Sequence, residues 1–196
     1  MQKPQGYDET KVMTDFEPLT PGGYVCIIKG VKEGKSRNNN DMLTVYVDIA
    51  EGPESLRFTK EYNDDTREDK KWPFSGTAYI MVLDKDGNTN RQLKTFIENV
   101  TESNVGWHVV WGNDFAKSFV GKSIGCVFGR EEYQKNNGDY AWSTKCKGFR
   151  SVNTIREGRF KVPEDKEIVR NISPDIAKPI DTWMDVDLSA ENLPFN

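Results

Sequence analysis

The stretch IGCVFGREEYQKNNGDYAWSTKCKGFRSV, residues 124–152, decides the fold of this chain. Residues 124–133 and 140–152 are rich in β-branched and aromatic side chains, which favour strands. Between them, Asn137 and Gly138 form the residue pair that is typical of a tight type I′ turn. The stretch therefore predicts a β-hairpin within a mainly β protein.

Three further strands are predicted upstream of this hairpin. Residues 24–32 (YVCIIKGVK) are β-branched and aromatic, and Gly30 indicates a bulge or bend. Residues 42–49 alternate between apolar and polar positions, which places Tyr46 on the outward face. Residues 56–62 (LRFTKEY) continue the alternation and predict a third strand, with Leu56 and Phe58 inward and Arg57 outward.

One helix and a second, shorter one are expected between the two groups of strands. Apolar residues recur at helical spacing from 93 to 100, and Asn90 is placed to cap that helix. Residues 114–120 (DFAKSFV) indicate the short helix, which Gly121 would end. Residues 72–83 (WPFSGTAYIMVL) fit either a strand or a helix, and we assign them as extended.

The order of three strands, a helix and two strands is that of the OB-fold, a five-stranded Greek-key barrel that binds oligonucleotides. The predicted fold class is therefore mainly β, with one or two helices and an OB-like five-stranded β-barrel. Residues 1–18 are expected to form an N-terminal arm and residues 19–162 the OB-like domain. Residues 163–196 contain scattered prolines and acids with little periodicity, which predicts a flexible, disordered acidic tail.

The charge of the chain is unevenly distributed. The net charge of −4 by itself argues against a nucleic-acid partner. Residues 122–161, however, carry nine Lys or Arg against four acids, whereas residues 171–196 carry one Lys against five acids. The first segment is suited to holding phosphates, and the second would repel them.

Binding of a single strand without sequence preference requires cations along its backbone and flat rings on which bases stack. The chain offers both in the segments that line the groove of an OB barrel. The predicted nucleic-acid-binding residues are Lys35, Arg37, Tyr46, Arg57, Trp72, Tyr133, Lys135, Tyr140, Trp142, Lys145, Lys147 and Arg150.

The alternative interpretation is that these rings are core residues and the charges a solvated face. Strand alternation favours it for Trp142, which shares a face with Tyr140 and Cys146. Lys145 and Lys147 fall on the opposite face, so Trp142 is expected to point inward.

The segment DTWMDVDLSAENLPFN, residues 181–196, joins acids to an apolar tip. Carboxylates can steer such a peptide to a basic pocket while the terminal ring enters an apolar one. An inert tail that aids solubility is the alternative. We predict a partner-binding tail formed by Asp185, Asp187, Glu191, Leu193, Pro194 and Phe195.

The end of this tail, AENLPF, resembles that of bacterial and phage single-stranded DNA-binding proteins, whose acidic tails finish with acids, an apolar residue, Pro and Phe. Residues 17–167 separately resemble prophage proteins of Gram-positive bacteria that are proposed to bind single strands. That likeness is carried by LTPGGYVCIIKGVKEGKS, FIENVTESN, GREEYQKNNGDY and SVNTIREGRFKVPEDK. It implies an OB-like fold and a setting in DNA replication or recombination, but no established binding residues.

The sequence holds no recognisable enzyme motif. His108 is the only histidine, and no HExxH or GxxxxGK[ST] motif occurs. Asp84, Asp86 and Asn88 in DKDGNTN lack the closing glutamate of a calcium loop, so a β-turn is the preferred interpretation. We predict no enzyme activity, no cofactor and no metal site.

These patterns predict a cytoplasmic protein of a bacterial host cell that coats single-stranded DNA. Through its tail it would recruit replication or recombination proteins, while self-association into a homo-oligomer stays open. No apolar run reaches the length of about 18 residues that spans a bilayer, so no membrane partner is expected. The alternative hypothesis is a structural or adaptor phage protein whose β-barrel binds another protein.

Overall fold

The computed structural model describes residues 2–5, 7 and 17–169, and this part of the chain is mainly β, as predicted. Its strands are β1 (Gly22–Lys35), β2 (Asp41–Ile49), β3 (Thr77–Met81), β4 (Ser123–Gln134) and β5 (Tyr140–Arg150). Its helices are α1 (Arg57–Asp64), α2 (Arg91–Ser103), α3 (Phe115–Ser118) and α4 (Val152–Arg156), more than the one or two predicted.

All five strands belong to one antiparallel sheet in the order β3-β2-β1-β4-β5. β1 is shared, because residues 22–27 pair with β4 and residues 26–35 pair with β2. The register of β1 on β2 shifts between Ile28 and Gly30, which confirms the irregularity predicted at this glycine. A bulge bends a strand and increases its twist, so β1 changes direction near the point where its pairing with β4 ends.

Five strands, the predicted number, form one sheet in the residues that the structure describes, but this sheet is open and does not close into a barrel there. β3 and β5 come close together, but no backbone ladder joins these two edges within the described chain. β3 has only five residues, and side chains occupy the gap instead. The ammonium nitrogen of Lys145 lies 4.5 Å from the centre of the Phe74 ring. We call this gap between β3 and β5 the seam.

Residues 56–62, predicted as the third strand, are largely helical and belong to α1. The buried carboxylate of Asp48 accepts hydrogen bonds from the backbone N–H of Phe58 at 2.9 Å and that of Thr59 at 3.2 Å. These N–H groups lie in the first turn, where a helix has no internal partner for them. Asp48 therefore caps α1 from β2. Phe58 is buried as predicted, whereas Leu56 is exposed.

The third strand of the sheet comes from residues 72–83 instead. A 3-10 turn spans Phe74–Gly76 and leads into β3, so the extended assignment is confirmed for β3.

α2 begins at the predicted cap, where the side chain of Asn90 accepts a hydrogen bond from the backbone N–H of Gln92 at 2.8 Å. α3 is also confirmed, while the five residues of α4 were not predicted. None of these described helices combines the length and apolar character needed to cross a membrane.

The β4–β5 hairpin is confirmed, but its turn is of another type. Gly138 has φ of +90°, whereas Asn137 keeps a negative φ. A type I′ turn needs positive φ at both central residues. The backbone N–H of Gly138 donates to the carbonyl of Lys135 at 2.9 Å. The backbone N–H of Lys135 donates to the carbonyl of Asp139 at 2.7 Å. The loop therefore has three residues, with the glycine in the left-handed position.

The core lies where the helices α2 and α3 pack against the sheet. Phe96 of α2 is fully buried, stacks on Phe119 at 5.1 Å between ring centres and meets Phe149 of β5 edge-on at 5.0 Å. β2 is buried on both faces, from Met42 to Ile49. Removing this apolar surface from water is the main favourable contribution to folding.

Residues 165–168 run alongside β4, beyond residue 162, the predicted end of the domain. The backbone N–H of Lys166 donates to the carbonyl of Arg130 at 3.1 Å, and its carbonyl accepts from the N–H of Glu132 at 2.9 Å. β4 offers this edge because its pairing with β1 stops at Phe128. The segment that leads toward the C-terminal tail is thus attached to the sheet.

Replacing Asp48 with Ala is expected to destabilise the fold strongly. The substitution leaves buried N–H donors of α1 unsatisfied, and each such group costs about 1–3 kcal/mol. We expect the free energy of unfolding, measured by urea titration, to fall by about 3 kcal/mol or more. Asp86→Ala in an exposed loop is the control and should change stability by less than about 0.5 kcal/mol. A change at Asp48 as small as that of the control would contradict the capping role.

Candidate nucleic-acid interface

The outer part of the β4–β5 hairpin projects beyond the rest of the sheet. β4 pairs with β1 only as far as Phe128, while its pairing with β5 continues to Gln134 and Tyr140. The side chains beyond this point are not covered by β1. We call this projecting part, residues 129–145, the finger.

Three aromatic rings of the finger are exposed. The exposed fraction is 42% for Tyr133, 43% for Tyr140 and 38% for Trp142. The cross-strand pairs Gln134–Tyr140 and Glu132–Trp142 place two of these rings on one face, and Tyr133 lies on the other. The finger therefore presents rings on both faces, where bases can stack.

Trp142 shares its face with Tyr140, as strand alternation predicts, but its predicted inward orientation is wrong. This face of the hairpin is covered by the core near Phe128, where β4 still pairs with β1, and is exposed beyond it. The guanidinium of Arg130 lies over the Trp142 indole, with its carbon 5.3 Å from the ring centre. Arg130 also forms an ion pair with Asp165. A cation and an exposed ring thus lie together on this side of the finger.

A cleft of about 180 Å³ opens at the seam. Phe74 and Tyr79 form its wall on the β3 side, with ring centres 6.3 Å apart. Lys145 and Lys147 form its wall on the β5 side. We call this site the seam cleft, and its remaining lining residues are Thr77, Ala78, Glu131, Cys146 and Lys166.

Glu131 holds the cations of the seam cleft together. Its carboxylate accepts a hydrogen bond from Lys147 at 2.5 Å, and the ammonium groups of Lys145 and Lys166 each lie 3.4 Å from it. Among the described residues that line the cleft, three ammonium groups stand against one carboxylate, which is a net positive charge.

The pKa values in the seam cleft reflect both burial and charge. Burial alone would raise the pKa of Glu131, but the hydrogen bond from Lys147 and the charges of the three lysines outweigh it and hold this pKa below its ordinary value. Burial lowers the pKa of Lys145, more than its attraction to Glu131 raises it.

Two predicted stacking residues, Tyr46 and Trp72, are buried. Each has an exposed fraction of only 6%, so the outward orientation predicted for Tyr46 is wrong. The reason is that both faces of β2 are covered. The indole N–H of Trp72 donates to the carbonyl of Val47 at 3.1 Å, and burial raises the pKa of Tyr46. Neither ring is presented to a ligand.

Two predicted cations lie away from the finger. Arg57 stands on α1 rather than on a strand, and its guanidinium pairs with Glu54 at 2.6 Å and Glu61 at 3.1 Å. Its predicted outward position on a third strand is therefore wrong. Arg150 is exposed at the end of β5 opposite to the finger.

The remaining predicted cations lie on hairpin loops. Lys35 and Arg37 belong to the β1–β2 hairpin, where Lys35 pairs with Asp41 at 2.7 Å. Lys135 is exposed at the tip of the finger. The predicted residues that the β4–β5 hairpin brings together are Tyr133, Lys135, Tyr140, Trp142, Lys145 and Lys147.

The predicted partner-binding tail lies outside the described residues, as does most of the N-terminal arm. The tail residues concerned are Asp185, Asp187, Glu191, Leu193, Pro194 and Phe195.

Of the nine residues that line the seam cleft, only Lys145 and Lys147 were predicted as binding residues. The ring and charged residues that were missed are Phe74, Tyr79, Glu131 and Lys166. The alternation in β3, where Ala78 and Ile80 are buried, would have placed Tyr79 on the outer face if the segment had been assigned firmly as a strand. Glu131 and Lys166 are brought together by long-range contacts, for which the sequence offers no local pattern.

The loop that resembles a calcium site is a turn, as expected. The carboxylate of Asp84 accepts hydrogen bonds from the backbone N–H groups of Asp86 and Asn88, both at 2.9 Å. This carboxylate therefore organises the loop that leads toward α2.

No model of a known protein family matches the chain, and a search among curated proteins gives no significant match.

Replacing Glu131 with Gln is expected to lower stability in a pH-dependent way. Because the folded pKa of Glu131 lies below its ordinary 4.5, the ionised form stabilises the fold above about pH 4.5, and this contribution disappears as the pH falls through the folded pKa. The difference in unfolding free energy between the native protein and the variant should be largest near neutral pH and shrink in acid.

Urea titrations between about pH 3 and pH 7 measure this difference. Glu164→Gln is the control, because its side chain is almost fully exposed and its stability difference should stay small at every pH. Curves for the native protein and Glu131→Gln that run parallel would contradict the ionic role of Glu131.

Proposed function

We propose that this protein binds single-stranded DNA without sequence preference, with the finger and the seam cleft as its binding surface. Its role is to coat the strand and protect it during phage replication or recombination in the cytoplasm of a bacterial host. The proposal includes no catalytic step.

The observation that carries the proposal is the set of three exposed rings on one projecting hairpin. Each base that stacks on an aromatic side chain contributes about 1–3 kcal/mol, and every base has a ring face that can do so. Arg130 beside Trp142 and Lys135 at the tip supply cations for the phosphates between the bases. Rings next to cations suit an unpaired strand, since they meet its bases and its phosphates together.

The strand order also supports this function. An OB-fold is a partly open Greek-key barrel of five strands, which binds oligonucleotides near its second and third strands and two of its hairpin loops. In this chain those two loops correspond to the β1–β2 hairpin, which carries Lys35 and Arg37, and to the finger. We infer that the domain is an OB-like barrel left open at the seam.

A labelled oligo(dT) of about 16 nucleotides, the upper end of OB-fold site sizes, is expected to bind more tightly than a duplex of equal length. Paired bases cannot reach the rings of the finger. Four cations, Arg130, Lys135, Lys145 and Lys147, are expected to contact phosphates. A plot of the logarithm of the binding constant against the logarithm of the salt concentration should then have a slope of about −3, because each phosphate contact on a single strand contributes about −0.7.

Fluorescence anisotropy at several salt concentrations measures both quantities. Equal affinity for the duplex would contradict stacking on the finger. No binding of either nucleic acid would overturn the proposed function.

We further propose that the acidic tail recruits replication or recombination proteins and competes with DNA for the basic surface. Residues 171–196 carry one Lys against five acids. Lys166, which lines the seam cleft, lies only a few residues before this acidic segment, so the acids are tethered close to the lysines. The apolar tip, with Phe195, is the part suited to a partner's pocket.

Deleting residues 171–196 is expected to raise the affinity for oligo(dT) at low salt by about fivefold, since exposed charge interactions contribute up to about 1 kcal/mol. The gain should vanish at high salt, where the charges are screened. Phe195→Ala is the matched control, because it removes the tip and keeps every acid. Anisotropy titrations that show unchanged or weaker binding after the deletion would contradict competition by the tail.

A structural or adaptor role is the second candidate, and exposed apolar residues outside the finger favour it. Trp111 has an exposed fraction of 68%, and its ring stacks on Phe115 with ring centres 5.2 Å apart. Val110 beside it is also exposed. Apolar surface of this kind marks protein interfaces when it is contiguous. Under this hypothesis neither the single strand nor the duplex binds.

A further inference from the structure

The seam cleft is distinct from the exposed rings of the finger and has its own shape. It lies between β3 and β5, where the sheet does not close. Its volume of about 180 Å³ is below the roughly 300–1,000 Å³ of pockets that enclose drug-sized ligands. The cleft therefore has room within its walls for no more than one nucleotide of a strand.

The β3 wall of the cleft is suited to a flat ring. Phe74 has an exposed fraction of 50%, and its ring plane makes an angle of 46° with that of Tyr79. The ammonium nitrogen of Lys145 lies over the Phe74 ring, 4.5 Å from its centre, so a base that stacks on this face takes the place of the ammonium group. A side chain that is already held in place loses little conformational freedom when a base stacks on it.

The β5 wall is suited to an anion. The ammonium groups of Lys145 and Lys147 both lie within 3.4 Å of the Glu131 carboxylate, which keeps them close together. An ammonium group has three N–H donors, and the hydrogen bond from Lys147 to Glu131 uses one of them. Because both lysines are partly buried, their attraction for a phosphate is stronger than it would be in open water.

We propose that the seam cleft binds one nucleotide of the single strand, with the base against Phe74 and the phosphate at Lys145 and Lys147. This inference rests on the proposed function and adds a defined subsite to it. A nucleotide carries a flat base and an anion within one unit, and so it engages both walls at once. A free base engages only the β3 wall, and inorganic phosphate only the β5 wall.

The first experiment compares full-length variants in oligo(dT) binding, with folding checked by thermal melting. Phe74→Leu keeps an apolar side chain but removes the ring, and should weaken binding roughly 5- to 150-fold, the range expected for loss of one stacked base. Phe74→Tyr keeps the ring and should retain affinity close to that of the native protein. Because Phe74 is half exposed, neither substitution empties the core.

The lysine wall is tested in the same titrations. Lys147→Ala should weaken binding and reduce the salt slope by about 0.7, the contribution of one phosphate contact on a single strand. Lys117→Ala on α3 is the matched control, because this lysine is highly exposed and does not line the cleft. It should leave both the affinity and the salt slope unchanged.

The second experiment titrates the native protein with thymidine 5′-monophosphate, thymidine and inorganic phosphate, and follows the aromatic resonances by NMR. The monophosphate should bind saturably and more tightly than either of the others, with shifts at the rings of Phe74 and Tyr79. These shifts should disappear in Phe74→Leu. Equal binding of phosphate and the monophosphate would overturn the base contact.

The two experiments separate the subsite from the function. Binding of oligo(dT) that is unchanged in both Phe74→Leu and Lys147→Ala overturns the subsite and leaves the proposed function standing. Binding of the monophosphate in the cleft without any binding of oligo(dT) overturns the proposed function and leaves a nucleotide site. Loss in Phe74→Leu with rescue in Phe74→Tyr supports the proposal.

Discussion

The division of β1 between two partner strands is the constraint on which the other features depend. β1 pairs with β4 along residues 22–27 and with β2 along residues 26–35, and the irregularity between Ile28 and Gly30 allows the strand to bend between them. Because β4 loses this partner beyond Phe128, the finger projects from the sheet. The same free edge of β4 receives residues 165–168. The exposure of the finger's rings is therefore a consequence of where β1 begins.

The positive charge of the seam cleft comes from the lysine side chains that lie in the gap between β3 and β5. No backbone ladder joins β3 to β5 in the described chain, and side chains such as Phe74 and Lys145 meet across the gap between them. Partly buried ammonium groups are costly unless they are paired. Glu131 offsets part of their charge, and the remaining excess is positive. A polyanion is the kind of ligand that such an excess attracts.

Local sequence patterns predicted the elements whose conformation is decided by neighbours in the chain. The hairpin at 124–152, the helix cap at Asn90 and the bend at Gly30 are all of this kind, and all are confirmed. The strand predicted at residues 56–62 was wrong because its alternation rests on only two inward apolar residues, Leu56 and Phe58, and tertiary contacts decide the conformation of so short a segment. The residue that decides between them, Asp48, lies on β2 and caps α1 from there.

In the candidate site, too, the features decided by neighbours in the chain were predicted, and those decided by long-range contacts were not. The placement of Tyr133 and Tyr140 on one hairpin followed from the sequence, whereas the burial of Tyr46 depends on what covers β2. Glu131 and Lys166 are 35 residues apart, and only the attachment of residues 165–168 to β4 brings them together. No spacing rule indicates such a pair before the fold is known.

Ultraviolet crosslinking of the full-length protein to oligo(dT), followed by mass spectrometry of the crosslinked peptides, tests most directly whether bases stack on the finger. We expect crosslinked thymine on Tyr133, Tyr140 and Trp142, with an excess of duplex failing to compete. Crosslinks confined to other exposed rings, such as Trp111, with none on the finger would contradict this account.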